Sequence, residues 1–385
     1  MILPRWVQFY LPAGLVECGA FMLILAQPID ALERLGAGAI HLGLLGMLGN
    51  GGYALVAVMA GRWSDRFGRR GPILFGIGSQ LVLALTLPLT TTLWQLMTLA
   101  VVQMTLLGFF WAPFMGALGE SIVPARLSAM LGRFNISWCL GSAGAAMIST
   151  VLYLQYGTRA PYLGAAVILL PAVVLIAVGR PRLAASEDGT HHPPRWRVRF
   201  FKNQAWMVMA ANFFMGGMLI FLYPKLVAAD GMELAPAGIA ALHVARLLVM
   251  LVIFALMGAT VGWHFRIAPF HVSYGLLVAA MLLTAWADRP ALALIPFVLV
   301  GVTLGMAYGL SVYYSGLETA KGYNFGIHES LLAVGSTTGP IYGGLLMHYT
   351  DWPPLAFLLG AVPLALLWAA SAVAMSRTIR RARAG

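Results

Sequence analysis

Charged side chains are scarce in this 385-residue sequence: they make up 10% of it, and only 13 residues are acidic. A soluble domain ordinarily carries about 25% charged residues, so most of this surface cannot face water. Cysteine is nearly missing too. The two present, Cys18 and Cys139, are too few for a disulfide framework or a cysteine metal cluster. Both fall in apolar runs and read as small packing residues. The adjacent pair His191-His192 is too little to hold a metal, so no metal and no cofactor are expected. The sequence has no Walker loop, no H-E-x-x-H pair and no G-x-S-x-G elbow. That argues against nucleotide-driven pumping and against an enzyme.

What is abundant is apolar surface, at 60% of residues and a mean hydropathy of +0.84. A helix crosses a bilayer with roughly 20 apolar residues. Long continuous runs exclude a β-barrel, whose strands alternate. Hydropathy predicts twelve spans, at 7–27, 40–60, 71–91, 93–115, 130–154, 160–179, 205–228, 236–257, 267–287, 290–313, 322–348 and 353–376. The longest break, 180–204, is rich in Pro, Arg and His and holds no span. The expected organisation is a six-helix half (1–179), a linker (180–204), a second half (205–376) and a basic tail (377–385). The first span lacks a basic leader and a cleavage site, so it is expected to remain as an anchor.

The net charge of +11 could suggest nucleic acid, but its distribution says otherwise. With the N-terminus inside, nineteen of the 24 basic residues fall on the cytoplasmic side, as the positive-inside rule requires. Only Arg34, Arg159, Lys225 and Arg289 fall outside, while Arg246 lies within a span. Asp30, Glu33, Asp230, Glu233, Asp288 and Asp351 also fall in the outer loops. Both termini are therefore expected in the cytoplasm, with the lipid bilayer rather than nucleic acid as partner.

After the second span comes Gly61-Arg62-Trp63-Ser64-Asp65-Arg66-Phe67-Gly68-Arg69-Arg70. This stretch resembles the G-x-x-x-D-R-x-G-R-R signature of the major facilitator superfamily, which lies between that family's helices 2 and 3. The match holds at Gly61, Asp65, Arg66, Gly68, Arg69 and Arg70. The resemblance implies an all-α membrane protein of twelve transmembrane helices in two pseudo-symmetric six-helix halves. It also implies a loop that latches the halves on the cytoplasmic side, with Asp65 and Arg66 in that role. Chemically, Asp65 suits a helix cap or an arginine partner, and Gly68 suits a tight turn. The corresponding stretch in the second half, Gly258 to Arg266, keeps a glycine and a basic residue but no aspartate. The latch is therefore expected to be asymmetric.

Span 11 carries Gly335-x-x-x-Gly339-Pro340-x-x-Gly343-Gly344. Small residues at spacing four let helices pack closely in lipid, and proline bends a helix. The pattern resembles the glycine-proline motif that drug-proton antiporters of this superfamily carry on span 5, where this chain has none. A gapless alignment of span 5 with span 11 sets Asn135 beside Glu329, as a duplicated half would.

Ionisable groups at membrane depth are functional candidates by default. Glu17 and Arg246 each lie about ten residues into their spans, roughly 15 Å deep. His243 shares the face of Arg246, and His328 adjoins Glu329. In the family fold, helices 3, 6, 9 and 12 are peripheral, and Glu17, Arg246 and Glu329 avoid them. The expected site has Arg246 as a fixed cation and Glu17 or Glu329 as the proton carrier. His243 and His328 are candidate relays, and Asn135, Asn212, Gln103 and Tyr308 are candidate cavity residues. The expected function is a secondary active transporter moving a small organic solute by alternating access, coupled to protons. It is expected to act as a monomer in a bacterial inner membrane. Symport is favoured over drug efflux by antiport. A non-transporting sensor or scaffold on the same fold is the reading from a different class.

Overall fold

In the computed structural model of the chain, residues 4, 6–179, 193–229, 236–287, 289–350 and 352–384 are described. Arg5, Arg180, Arg182, His191-His192, Asp230, Glu233, Asp288 and Asp351 lie outside the described residues, as does most of the expected linker. Among the described residues, a π-helical turn, Trp6–Tyr10, leads into twelve α-helices: α1 Leu11–Glu33, α2 Ala39–Phe67, α3 Arg70–Thr86, α4 Leu93–Glu120, α5 Leu127–Tyr156, α6 Ala160–Val178, α7 Arg195–Ala229, α8 Pro236–Ala259, α9 Ala268–Trp286, α10 Pro290–Gly316, α11 Lys321–Tyr349 and α12 Pro354–Ala384. Eleven of them are long and apolar enough to cross a membrane. The exception is α11, whose hydropathy is lowered by Asn324, His328, Glu329 and its glycines.

Three helices run past their apolar spans. α1 continues through Asp30 because Arg34 neutralises that carboxylate with a bidentate pair at 2.6 and 2.7 Å. Asp30 is fully buried, and Tyr162 of α6 also donates to it at 3.3 Å. Arg34 reaches on to the Thr90 carbonyl and hydroxyl, so one ion pair ties α1 to two neighbours. α7 starts at Arg195, within the segment expected to be linker. Its arginines favour helix, and Val198 and Phe201 bury against the rest of the fold. α12 likewise continues through the expected tail to Ala384.

Contacts divide the chain into two compact units: Met1–His192 with Ser315–Ala333, and Pro193–Tyr314 with Val334–Gly385. In the first, α1 packs on α5 and α6, α2 on α4, and α3 on α4 and α6. In the second, α9 and α12 pack together and both touch α7. Glycines set the other seams. Gly301, Gly305 and Gly309 of α10 lie against Arg246, Ile253 and Met257 of α8. The seam between α7 and α11 is made by Gly335, Gly339 and Gly343, which rest on Ala210, Phe214 and Leu222. Gly217 of α7 meets Pro340 in return, and Gly344 faces open space. The pairings α1·α5, α2·α4 and α3·α6 thus reappear as α7·α11, α8·α10 and α9·α12, as expected of a duplicated half.

Apolar side chains also cover the outside. Leu55, Leu154 and Val167 are each at least 70% exposed. A helix that is apolar all round has hydrocarbon rather than water as its solvent.

Candidate functional site

The first unit holds the motif loop, and its geometry starts from Gly68. That residue closes α2 at φ +97°, a backbone region that suits glycine. The turn brings Arg69 back beside Asp65 at 2.5 Å. Arg69 also pairs with Glu120 of α4 at 2.5 Å and donates to Ser64 Oγ at 2.6 Å. The Asp65 carboxylate accepts from the Gly322 N–H at 2.9 Å and the Tyr323 N–H at 2.7 Å. Those amides open α11 and have no partner within the helix, so Asp65 caps it and meets the positive end of its dipole. Arg62 lies over the Tyr323 ring at 4.6 Å. Arg70 donates to the Ala177 carbonyl at the end of α6. Arg66 is exposed, over the ring of Phe67. The cap is thus built by Asp65 and Arg69.

Two carboxylates lie deeper in the same unit. Glu17 accepts a hydrogen bond from Ser142 of α5 at 2.6 Å. One turn earlier, Gly14 and Gly141 bring α1 and α5 into backbone contact. Glu329 is 3% exposed and accepts from the Tyr53 hydroxyl of α2 at 2.5 Å. His328 is fully buried, with Nε2 3.7 Å from Glu329 Oε1. Asn135 is 2% exposed, and its Oδ1 accepts from Trp138 at 3.3 Å.

Gln103 belongs to a buried amide cluster. It accepts from Gln27 of α1 at 3.2 Å and donates to Gln80 of α3 at 2.5 Å. Gln80 returns a bond to the Gln103 carbonyl at 3.0 Å. This network pins three helices of the first unit.

In the second unit, the Arg246 guanidinium faces Gly216 of α7 at ordinary contact distance. One turn earlier His243 meets the Phe297 ring edge-on at 5.0 Å, and Phe297 meets Tyr223 at the same distance. Asn212 is fully buried; its amide donates to the Val208 carbonyl at 2.8 Å and to Ser273 of α9 at 3.4 Å. Tyr308 packs against Phe254 of α8.

The counterpart of the motif loop here is aromatic. Trp263 caps the end of α8 by donating to the Met257 and Thr260 carbonyls. His264 stacks on Tyr313 at 4.2 Å, and the Phe265 N–H donates to Tyr314 at 2.7 Å. Burial pulls the His264 imidazole down to about 4, from an ordinary value of 6.5. The unfolded chain therefore holds more protons than the fold between those values, and stability falls as pH drops through that window. His264→Gln is expected to flatten that part of the profile, read as thermal unfolding in detergent. An unchanged slope would show that the ring is not buried.

Tyr53, Ser142 and Glu120 were not among the sequence candidates. One signal was present: Tyr53, Ala57 and Gly61 repeat at spacing four on α2, as Gly322 and Gly326 do on α11. Such rows mark close helix packing.

The sequence profile of the Major Facilitator Superfamily matches residues 11–321. None of the curated proteins matches the chain. Among solved structures, the fold is similar to the human organic anion transporter MFSD10 (TETRAN), with TM-score 0.73 and 16% identity over 94% of this chain and 98% of that one. It is similar to a bacterial homologue of the iron transporter ferroportin in an outward-facing state, at 0.68 and 13% over 96% and 100%. FucP in the outward conformation gives 0.66 and 15% over 94% and 97%. Identities this low speak to the fold alone. The profile match spans most of the sequence, and the twelve helices and the motif loop agree with it: the chain belongs to the Major Facilitator Superfamily, a family of multi-pass membrane transporters.

Proposed function

We propose that this protein is a proton-coupled secondary transporter of a small organic solute bearing an anionic group, working by alternating access. One observation carries the proton coupling: each deep carboxylate is held by a hydroxyl, Glu17 by Ser142 and Glu329 by Tyr53. An arginine or lysine partner would pin a carboxylate in its charged form. A hydroxyl both donates and accepts, so it can bond the carboxyl in either form, the charged one more strongly. Arg246, opposite Gly216, is the cation for the anionic group, with His243 one turn earlier on the same helix. The sequence halves 1–179 and 205–376 are the two moving bodies. The α2–α3 loop and both termini face the cytoplasm, as the nineteen basic residues on that side require.

The test is reconstitution. Purified protein is screened by thermal shift against a panel of organic anions, zwitterions and sugars at two pH values, since a ligand of the folded state stabilises it. Hits are then followed as flux into proteoliposomes with an imposed proton gradient. An inward proton gradient is expected to drive uptake. Glu17→Gln is expected to alter its pH dependence, and Arg246→Ala to lower uptake of an anionic hit at least about tenfold, the worth of a lost charge-assisted bond. Gradient-independent flux in the parent protein would end the proton-coupled reading, and anionic hits unaffected by Arg246→Ala would end its assignment as the binding cation.

A further inference from the structure

We infer that Tyr53 is the positioning residue through which protonation of Glu329 opens the seam between α2 and the first half of α11; this rests on Glu329 being a proton carrier. The seam runs entirely within the first unit. At one end Gly61 lies in backbone contact with Gly322. One turn along, a side chain at Gly326 would lie 2.6 Å from the Ala57 carbonyl. After one more turn the seam reaches Tyr53 and Glu329. The glycine and alanine contacts are apolar and backbone-close, so they favour proximity but fix no register. The directional bonds are at the two ends: Asp65 on the Gly322 and Tyr323 amides, and Tyr53 on Glu329.

The two ends differ in what they respond to. The outer cap involves Asp65, Arg69 and Glu120, held in a network of ion pairs. At the inner end the Tyr53 hydroxyl meets the Glu329 carboxylate, outside that ion-pair network. A bond to a charged acceptor is roughly twice as strong as one between neutral groups. When Glu329 takes up a proton, its carboxylate becomes a neutral acid and Tyr53 keeps its own hydroxyl hydrogen. The bond falls to neutral strength, and the balance moves toward the separated seam. Loss of the proton restores it. The groups that bear on Glu329 are Tyr53 from α2, Glu17 from α1 and His328 on α11 itself. Tyr53 is itself held in place from behind: Gly108 of α4 lies against its backbone, so the hydroxyl is presented from a fixed helix.

Spin labels on Phe67→Cys and Thr319→Cys, both exposed positions of the first unit, report the seam without a transported solute. Cys18 and Cys139 are replaced by serine in the same background. As pH falls, the long-distance population is expected to grow in the parent. Tyr53→Phe is expected to raise that population about fivefold at high pH and to flatten its pH profile. Glu329→Gln is expected to give distances that no longer depend on pH. A residue that merely packed would alter stability and leave the profile in place. If the Tyr53→Phe and Glu329→Gln profiles both match the parent while Glu17→Gln abolishes the pH response, the coupling role of Tyr53 is wrong and the proton-coupled reading stands. Distances that ignore pH in the parent itself would overturn both.

Discussion

Asp65→Asn is expected to slow transport about tenfold while leaving the fold intact. The substitution keeps the shape of the side chain but removes its charge. An asparagine has one acceptor oxygen where the carboxylate has two, so it can satisfy only one of the Gly322 and Tyr323 amides. Its amide nitrogen is then turned toward the other N–H. The ion pair with Arg69 at 2.5 Å is lost as well, although Arg69 retains Glu120 and Ser64. Hydrogen bonds with a charged partner are worth about 1.5–3 kcal/mol, and about 1.4 kcal/mol is a factor of ten. The site lies at a helix end and is partly exposed, so its loss leaves the core untouched. Uptake in proteoliposomes and thermal unfolding in detergent separate the two effects. Arg66→Gln is the internal control, because Arg66 lies outside the cap, and its uptake is expected within about twofold of the parent. Parental rates for Asp65→Asn would remove the cap from the transport cycle.

The largest stability effect is expected at Gly339. A side chain there would run into the backbone of Phe214, and one at Gly335 would lie 2.6 Å from the Ala210 carbonyl. Neither neighbour is a flexible side-chain tip that could turn away. Overpacking a tight core costs about 1–3 kcal/mol, and a backbone clash forces the helices apart along the whole seam. Gly339→Leu is therefore expected to abolish recovery of monodisperse protein. Gly344→Leu, five residues on, is expected to behave like the parent, since nothing lies within 4 Å of that position. Size-exclusion profiles of the two variants decide the matter. Equal recovery would mean that α7 and α11 are not packed through Gly339.

The twelve helices were legible because lipid demands long apolar runs, and the motif loop because its glycines and charges sit close together in sequence. What the sequence did not reveal was which way a polar residue turns. In a soluble helix the apolar face marks the core. Here the outside is as apolar as the inside, so no face is marked. Gln103, Asn212 and Tyr308 are candidate cavity residues by sequence, and the neighbours they have in the structure, the Gln80 amide, Ser273 and Phe254, could not be foreseen from it. Nor does composition reveal partners far apart in sequence. Tyr53 and Glu329 are 276 residues apart, and only the fold brings them together. The pair of buried Asp30 and half-buried Arg34 was hidden for a different reason. Two charges near the end of an apolar run suggest a loop, yet spaced four apart they neutralise each other and let α1 continue.

The glutamine cluster of the first unit bears on how the protein responds to voltage. A potential of 100 mV acts with about 2.3 kcal/mol on each elementary charge carried across the membrane. It exerts no comparable pull on an amide, and no amide gains or loses a proton near neutrality. By joining α1, α3 and α4 through Gln27, Gln80 and Gln103, the fold secures these helices with groups that an energised membrane leaves alone. A changing membrane potential therefore acts on ionised side chains at depth and not on this amide network.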